Sequence, residues 1–425
     1  MSDASATPTL RVKQMATKIG SGKTPSGGSE TYRDSGVMFL RSQNIHFGGL
    51  NLTDVAYIDD LTHREMHGTR VRERDVLLNI TGASLGRVTY FRAGLGEANV
   101  NQHVCIIRPR SSTDPRYLAY ALSSNVCQDQ IFGMQVGGNR DGLNFEQVGG
   151  LEIPAPLLEE QRRIADFLDA ETSRMDRLCE LRSAQRSLAD ARLNAIWSTA
   201  IVADGDDFSW VPIRRFVIAI TDGPFGSALT SSHYSDSGAR VIRLGNIGRA
   251  DFRERDAAYI PMEYFRTLGR HHARPGDLVV AGLGDQGNPL GRACVVPDGI
   301  GPAMVKADCF RLRLDQARVM HDYAAWAMSS PPVSEQAVLL SRGSTRSRIN
   351  LEVVRDVRIP VPPLSRQLET VDLLAKARQG VNQFTSKCDK QLTLLAERRQ
   401  SLITAAVTGE FDVTTASGRN LTQGV

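Results

Sequence analysis

Residues 144–168, NFEQVGGLEIPAPLLEEQRRIADFL, are repeated 206 positions later as residues 350–374, NLEVVRDVRIPVPPLSRQLETVDLL. Ten of the 25 aligned positions are identical. Solenoid and propeller repeats have periods of about 20–50 residues. This longer period therefore indicates that a whole domain and the helix after it are duplicated. Two similar units predict a pseudo-two-fold protein, which suits a ligand that itself has two similar halves.

The repeat extends into the domains that precede these stretches. Residues 117–124 align with residues 323–330 at the same offset, and residues 39–45 align with residues 241–247 at an offset of 202. The offset changes near residues 285–289, where the second copy has extra loop residues. Framework positions match while the loops differ, so we expect both units to perform the same task on different targets.

Local patterns predict an α+β fold. Short β-prone runs such as residues 77–80 and 103–107 are bounded by Gly, Asp or Pro, which is typical of a mostly antiparallel sheet. Residues 115–130 are predicted to form one amphipathic helix. The resulting order is a domain at 1–153, a spacer helix at 154–205, a second domain at 206–358, a second spacer helix at 359–413 and a polar tail at 414–425.

Two long helices are predicted at about residues 159–202 and 365–407. The first has no Gly or Pro before Asp204-Gly205-Asp206-Asp207, which is expected to end it. The second helix has apolar residues at a spacing of seven: Leu374, Val381, Cys388, Leu395 and Leu402. The first helix keeps this spacing only weakly, at Leu181, Leu188 and Ala195. Such stripes predict an antiparallel coiled coil between the helices. The alternative is that each helix folds back on its own domain.

The composition sets weak limits on function. The chain has 51 basic and 47 acidic residues, and a net charge of +4 permits nucleic-acid binding without arguing for it. The six cysteines form no CxxC pair, which favours free thiols in a reducing cytoplasm. No run of about 18 apolar residues is present, so no membrane span is expected.

A search for catalytic motifs is largely negative. Residues 20–24 (GSGKT) resemble the end of a phosphate-binding loop, but Pro and Gly follow where a helix is needed. Residues 282–287 match GxGxxG without a following helix. His63 and His67 lack a third ligand, which favours a surface pair over a metal site. No Asn/Asp-Pro-Pro-aromatic sequence of an amino-methylating enzyme is present. We therefore expect a binding protein with no catalytic or metal site.

Several motifs together resemble one known family. They are the two Ile-Pro-x-Pro segments, residues 160–165 (EQRRIA) and residues 399–410 (RQSLITAAVTGE). With the repeat and the long helices, they are similar to the DNA specificity subunit of Type I restriction–modification systems. Residues 36–45 and 74–82 also resemble landmarks of that family's target recognition domains.

The resemblance implies a function and partners. In that family each target recognition domain reads one half of a split sequence in double-stranded DNA, and the helices set the distance between the halves. The helices also dock two methyltransferase subunits, and a restriction–translocase subunit joins them. The specificity subunit has no catalysis and no cofactor of its own, because S-adenosylmethionine and ATP bind in the partner subunits.

Candidate DNA contacts are polar residues on loops, because base edges are recognised by donors and acceptors. In the first domain they are Arg41, Gln43, Asn44, Asn79, Thr81, Ser84, Asn139 and Arg140. In the second domain they are Arg243, Asn246, Asp285, Gln286, Asn288, Arg342, Ser344, Thr345, Arg346 and Arg348. The arginine-rich residues 342–348 are the strongest local signal. Two alternatives stay open: a self-sufficient DNA-modifying enzyme, and a coiled-coil scaffold with protein-binding end domains.

Overall fold

The computed structural model describes residues 7–134, 142–285, 287–341 and 348–413. The chain divides into two compact units. Unit 1 comprises residues 1–182 and 389–425, and unit 2 comprises residues 183–388. Because both boundaries fall inside long helices, each unit contains one α+β domain, half of the first long helix and half of the second.

The first α+β domain begins and ends with two short strands that pair with each other. Its strands are β1 (Thr9–Arg11), β2 (Ala16–Ser21), β3 (Val37–Leu40), β4 (Ile45–His46), β5 (Gly49–Leu50), β6 (Ala56–Ile58), β7 (Arg70–Val71), β8 (Val76–Asn79), β9 (Val88–Tyr90), β10 (Ala98–Val100), β11 (Val104–Pro109) and β12 (Glu152–Pro154). Its helices are α1 (Val12–Met15), α2 (Asp60–Glu65), α3 (Pro115–Ser123), α4 (Asn125–Gly133) and α5 (Phe145–Gly150), and the long helix α6 (Leu158–Asp207) follows.

The second domain repeats this order. Its strands are β13 (Trp210–Pro212), β14 (Val217–Asp222), β15 (Ala239–Ile242), β16 (Tyr259–Ile260), β17 (His272–Ala273), β18 (Leu278–Ala281), β19 (Ala293–Val295), β20 (Ala303–Val305), β21 (Cys309–Leu314) and β22 (Arg358–Pro360). Its helices are α7 (Met262–Thr267), α8 (His321–Met328), α9 (Pro331–Leu339) and α10 (Leu351–Asp356), and the second long helix α11 (Leu364–Thr408) follows.

Each domain has two four-stranded sheets with the same strand order. The orders are β6-β3-β10-β7 and β2-β11-β8-β9 in unit 1, and β16-β15-β20-β17 and β14-β21-β18-β19 in unit 2. All pairings in these sheets are antiparallel except the central pairs β3–β10 and β15–β20, which are parallel. This confirms the predicted α+β class with mostly antiparallel sheets.

The identical positions of the repeat are explained by burial and hydrogen bonding. Ile153 and Ile359 lie in the short strand pairs β1–β12 and β13–β22 and are almost fully buried. Leu168 and Leu374, each ten residues after the first residue of its long helix, are fully buried in the cores of their units. The repeated segment is therefore the junction between each domain and its helix.

The long helices pack on each other inside each unit, with opposite chain directions. In unit 1 the Asp176 carboxylate of α6 pairs with Arg399 near the end of α11. In unit 2 the buried Asp204 near the end of α6 accepts hydrogen bonds from Arg366 (3.1 Å) and Thr370 (3.2 Å) near the start of α11. The predicted antiparallel pairing is confirmed.

The register of the first helix differs from the prediction. Leu181 and Leu188, expected between the helices, are 45% and 69% exposed. The less exposed positions are instead Met175, Cys179, Arg182, Ala189 and Leu193. Their spacings of three, four and seven keep them on one face, so polar Arg182 occupies a position where an apolar residue was expected. On α11 the prediction is correct for Leu374 and Cys388, which are buried.

Two predicted helix boundaries were also wrong. Residues 115–130 form two helices, α3 and α4, because Ser124 adopts extended backbone between them. The first long helix was predicted to run to about residue 202 and to be ended by residues 204–207, but it continues through that run to Asp207. Gly205 lies inside this helix, and the position requires glycine because a Cβ there would meet the Trp210 indole nitrogen at 2.1 Å. This glycine permits close packing rather than ending the helix.

Five of the six cysteines are buried, and Cys179 is partly buried. All six cysteines are free, and burial raises the pKa of Cys105, Cys127 and Cys309 to about 12. In the part of the chain that the structure describes, no helix combines the length and apolarity needed to cross a bilayer.

Candidate nucleic-acid interface

The parallel strands β3 and β10 bring two polar loops of unit 1 together. Arg41–Asn44 follows β3, and residues 101–103 follow β10. Because parallel neighbours end at the same sheet edge, the loops lie side by side, and the Asn101 N–H donates to the Leu40 carbonyl at 3.1 Å. Sequence neighbours could not indicate this contact, since about 60 residues separate the loops.

A third loop, residues 79–84, joins this edge through hydrogen bonds. The Asn79 amide donates to the Ser42 carbonyl at 2.8 Å, and Thr81 Oγ1 lies 2.5 Å from His103 Nδ1. The Ile80 N–H also donates to the His103 carbonyl at 3.0 Å. The three loops 41–44, 79–84 and 101–103 therefore form one continuous polar surface, here named recognition surface 1.

Unit 2 repeats the junction almost bond for bond. The Lys306 N–H donates to the Ile242 carbonyl at 2.9 Å, as Asn101 does to Leu40 in unit 1. The Gly282 N–H donates to the Asp308 carbonyl at 2.7 Å, as Ile80 does to His103. Residues 243–246, 282–285, 287–292 and 306–308 thus form recognition surface 2. The backbone bonds match while the exposed residues differ.

Seven of the predicted contact residues lie outside the described residues. They are Asn139, Arg140, Gln286, Arg342, Ser344, Thr345 and Arg346. The chain segments that follow them are fixed on the recognition surfaces: the Leu143 N–H donates to the Ile80 carbonyl at 2.8 Å and the Ile349 N–H to the Gly282 carbonyl at 2.9 Å. Arg348 pairs with Asp308 at 2.6 Å and remains half exposed.

Three of the predicted contact residues are buried parts of the framework. Asn44 and Asn246 are each 1% exposed, and Asn79 is fully buried. The Asn44 amide donates to the carbonyls of Asn51 (2.9 Å) and Asp54 (3.0 Å), while Asn246 donates to those of Arg253 (2.9 Å) and Arg255 (2.8 Å). These bonds hold the loops after β3 and β15. The geometry favours a structural role for all three over the base contact expected from the sequence.

Arg292 performs in unit 2 the bracing that Asn79 performs in unit 1. Position 281, the counterpart of Asn79, is alanine. The Arg292 guanidinium donates instead to the carbonyls of Ile247 (2.7 Å), Leu244 (2.9 Å) and Leu283 (2.8 Å). Burial lowers the pKa of Arg292, which is 3% exposed. One buried side chain therefore connects two loops of recognition surface 2.

Replacing Arg292 with alanine should destabilise unit 2 strongly. The Arg292→Ala variant removes three hydrogen bonds donated by a buried guanidinium, and hydrogen bonds to a charged group contribute about 1.5–3 kcal/mol each. We expect the free energy of unfolding to fall by about 3 kcal/mol or more, measured by urea titration. Arg355→Ala is a matched control, because the exposed Arg355–Glu352 pair (3.4 Å) should contribute less than about 1 kcal/mol. Equal losses in both variants would contradict this bracing role.

The remaining predicted residues are at least partly accessible. Gln43 is exposed, and Arg41 and Arg243 are half-buried beside carbonyls of Asp54 and Asp256. Thr81, Ser84 and Asn288 are partly exposed, whereas Asp285 and Arg348 are exposed. The Asp285 carboxylate accepts from the Gly287 N–H (2.9 Å) and the Asn288 amide (3.0 Å), and the first of these bonds chiefly lowers its pKa. These residues stay predictions for DNA contact.

The structure adds residues that the sequence did not single out. Gln102 is exposed and accepts from the Thr24 hydroxyl, and His103 is partly exposed beside it. In unit 2 the counterpart of the neighbouring Asn101 is Lys306, whose ammonium lies 5.5 Å from the Tyr234 ring centre. A cavity of about 530 Å³ lies between Lys306 and Arg243. No local motif marks these positions, because only the parallel strand pairing brings them to the edge.

The prediction of a surface histidine pair is wrong for His63 and correct for His67, which is exposed. His63 is 6% exposed, and its Nδ1 lies 2.5 Å from Asn99 Oδ1, which fixes α2 to β10. Among the described residues, no group of three or more His, Cys, Asp or Glu is arranged to hold a metal ion.

Comparison with known proteins gives a consistent result. Residues 11–180 match the family model of the Type I restriction modification DNA specificity domain. The chain is 20% identical to the StySPI specificity subunit of Salmonella potsdam over 89% of this chain and 83% of that protein. It is 18% identical to the EcoKI specificity subunit of Escherichia coli K12, with the same coverage.

The fold has solved counterparts. A chain from a study of complex assembly and conformational transition in a type I R-M system superimposes with a TM-score of 0.72 and 17% identity, over 97% of this chain and all of that one. The HsdS subunit of Thermoanaerobacter tengcongensis gives a TM-score of 0.52 and 17% identity, over 95% and 97% of the two chains.

Fold and site define a protein with two similar α+β domains, each presenting one polar loop surface beside paired long helices. The family match and the relatives confirm the resemblance found in the sequence: the chain is similar over most of its length to the DNA specificity subunits of Type I restriction–modification systems.

Proposed function

We propose that this chain is the DNA-recognition subunit of a Type I restriction–modification complex and that each recognition surface reads one half of a bipartite target in double-stranded DNA. One observation carries the proposal. The loop junctions of the two units share their backbone bonds but expose different side chains, Gln102 and His103 in one and Lys306 and Asp308 in the other. A constant framework with variable polar loops is what reading two different sequences requires.

The exposed groups suit base edges in the major groove. Amides such as Gln43 and Gln102 can both donate and accept, which matches the edge of adenine, whereas Arg348 offers the forked donors that match guanine. Asp285, held ionised, can accept from cytosine. Some of the arginines will instead contact phosphates, which position the protein without specifying sequence.

We propose that the chain itself is not an enzyme and binds no cofactor. The polar side chains that are buried beneath its recognition surfaces, such as Asn79 and Arg292, are engaged in bracing bonds. S-adenosylmethionine and ATP then belong to methyltransferase and restriction–translocase partners, which supply the chemistry.

The long helices provide a surface for such partners. Leu178, Leu181 and Leu188 lie on one face of α6 and are 42%, 45% and 69% exposed. Leu373, Phe384 and Leu394 lie on one face of α11 and are 52%, 39% and 61% exposed. Rows of large apolar side chains at helical spacing are typical of protein docking surfaces. We propose that two methyltransferase subunits dock on these faces.

Two experiments test the proposal, one with the purified chain and one in cells. The isolated chain, incubated with labelled S-adenosylmethionine and genomic DNA, should transfer no label. Cells that produce the chain together with its proposed methyltransferase partner should carry methylation at one bipartite sequence, detected by single-molecule methylation sequencing. Transfer by the isolated chain would favour a self-sufficient enzyme. Methylation that does not depend on the chain would contradict the recognition role and favour a scaffold.

A further inference from the structure

Two buried glutamines occupy the same place in both units. Gln161 lies in the first turn of α6 and is 3% exposed, and Gln367 lies in the first turn of α11 and is fully buried. Burying an amide is unfavourable unless its donors and acceptor are satisfied. Leucine would fill such a site without that cost, so the bonds of the two amides show what the glutamines do.

Gln161 connects three parts of unit 1. Its Oε1 accepts from the N–H of Asp114, the residue before α3 in the recognition domain, at 2.9 Å. Its Nε2 donates at 2.8 Å to the carbonyl of Pro156, in the extended segment between β12 and α6. One side chain thus bonds the long helix to the recognition domain and to the segment that joins them.

Gln367 makes the same connection in unit 2. Its Oε1 accepts from the N–H of Met320, the residue before α8, at 2.9 Å. Its Nε2 donates at 2.8 Å to the carbonyls of Pro362 and Arg318. Met320 and Pro362 are each 206 residues after Asp114 and Pro156, so both units use equivalent atoms.

The joining segments are also held from the domain side. The Tyr117 hydroxyl donates to the Pro154 carbonyl at 2.8 Å, and the Tyr323 hydroxyl donates to the Pro360 carbonyl at 3.1 Å. Prolines fix the backbone angle φ at these positions. Other polar contacts between a domain and a long helix differ between the units: Tyr120 donates to Asp169 at 2.7 Å in unit 1, whereas the Trp197 indole donates to the Trp326 carbonyl at 2.9 Å in unit 2. The apolar contacts of Leu168 and Leu374 are non-directional. The glutamine bonds are therefore directional contacts that recur at equivalent atoms in both units.

We infer that Gln161 and Gln367 are positioning residues that fix the angle of each recognition domain on its long helix and thereby restrict the gap between the two half-sites. The inference rests on the proposed function. A domain that can pivot on its helix reads the same bases but accepts half-sites one base pair nearer or farther. The predicted defect is one of gap selection, with base selection retained.

The test uses Gln161→Met and Gln367→Met, which keep side-chain length and remove the bonds. Each chain is produced with its methyltransferase, and methylation of genomic DNA is sequenced at both half-sites for every gap length. The wild-type chain should give one gap. Each variant should methylate sites with one base pair more or less, with the preference for the native gap reduced by roughly tenfold or more, as expected for the loss of two hydrogen bonds in Gln161→Met and three in Gln367→Met.

Gln130→Met is a matched control. The Gln130 amide makes two backbone bonds to Glu152, at 2.8 and 2.9 Å, which join α4 to β12 without involving a long helix. This control should lower stability without changing the gap. Changed gap selection in the control, or an unchanged gap in both test variants, would overturn the inference.

The remaining outcomes also decide between explanations. If neither test variant forms a folded complex, the glutamines serve folding and the inference is wrong. If one variant does not fold, the other unit's variant gives the answer. If the wild-type chain directs no bipartite methylation, the proposed function itself fails, which this experiment shows separately.

Discussion

Replacing residues 210–360 with a second copy of residues 9–154 is expected to produce a protein that reads the same half-site twice. The two segments begin and end in equivalent strand pairs, β1–β12 and β13–β22. Each also carries its own two sheets and its own recognition surface. Under the pseudo-two-fold relation expected from the repeat, the new target is an inverted repeat of the first half-site.

The replacement must also fit the helix face it meets. In unit 1, Tyr120 donates to Asp169 at 2.7 Å, and its hydroxyl lies 3.1 Å from that of Thr172. In unit 2 the equivalent Trp326 stacks under the Arg378 guanidinium at 3.8 Å, and burial lowers the pKa of Arg378 to about 10. A transplanted Tyr120 would leave Arg378 buried without its tryptophan, which is unfavourable for a charged group.

Three helix substitutions restore the environment of the first unit. Ala375→Asp and Arg378→Thr recreate the positions of Asp169 and Thr172, and Trp197→Ile recreates that of Ile403. The hybrid with these substitutions should fold more stably than the hybrid without them, as measured by thermal unfolding. Equal stability of the two hybrids would show that this interface does not distinguish the domains.

Methylation sequencing provides the functional readout of the hybrid. The inverted repeat should be methylated, whereas the original target should lose methylation by at least about a thousandfold, since each mismatched base pair costs about 1–3 kcal/mol. The reciprocal hybrid, with residues 210–360 in both places, should read the other half twice. A new target unrelated to either original half would show that the domains are not independent readers.

The sequence predicts best the features that depend on local pattern. The heptad of α11 correctly placed Leu374 and Cys388 in buried positions, because a spacing of seven keeps residues on one helix face. The same rule failed on α6, where Leu181 and Leu188 are exposed and Arg182 lies on the buried face. A polar residue such as Arg182 among the less exposed positions removes the difference between apolar and polar faces from which a heptad is recognised.

Features that depend on which residue a side chain meets in the folded protein could not be predicted. Gly205 marked the end of a helix in the sequence, yet it makes room for Trp210. Asn44 and Asn246 had the polarity and loop position of base contacts, but both brace the framework. Gln102 and Lys306 were missed because a parallel strand pair brings them to the surface edge. The partners of Gly205, Asn44 and Asn246 lie five to ten residues away, but a local pattern does not show how the chain turns between them, and only the strand partners of the third case are remote in the chain.

Lengthening the long helices is expected to widen the gap in the DNA target without changing the bases read. Asp176 pairs with Arg399 in unit 1, and Asp204 bonds Thr370 in unit 2. Residue 186 lies ten positions after Asp176 in α6, and residue 389 lies ten positions before Arg399 in α11, so both positions are equally far along the chain from this contact. Four residues inserted after each of these positions would add about 6 Å to each helix, close to the ~5.4 Å of one turn. The apolar faces then return nearly to their original direction, so the helices can still pair.

The added length corresponds to one or two base pairs, at ~3.4 Å per step. We therefore expect methylation at the same two half-sites separated by one or two more base pairs, with the original gap lost. Inserting two residues at each position is the matched control. It turns the helix ends by roughly 200° and separates the apolar faces, so the protein should be destabilised and methylation abolished. A four-residue variant that folds and retains the original gap would show that the helices do not set the spacing.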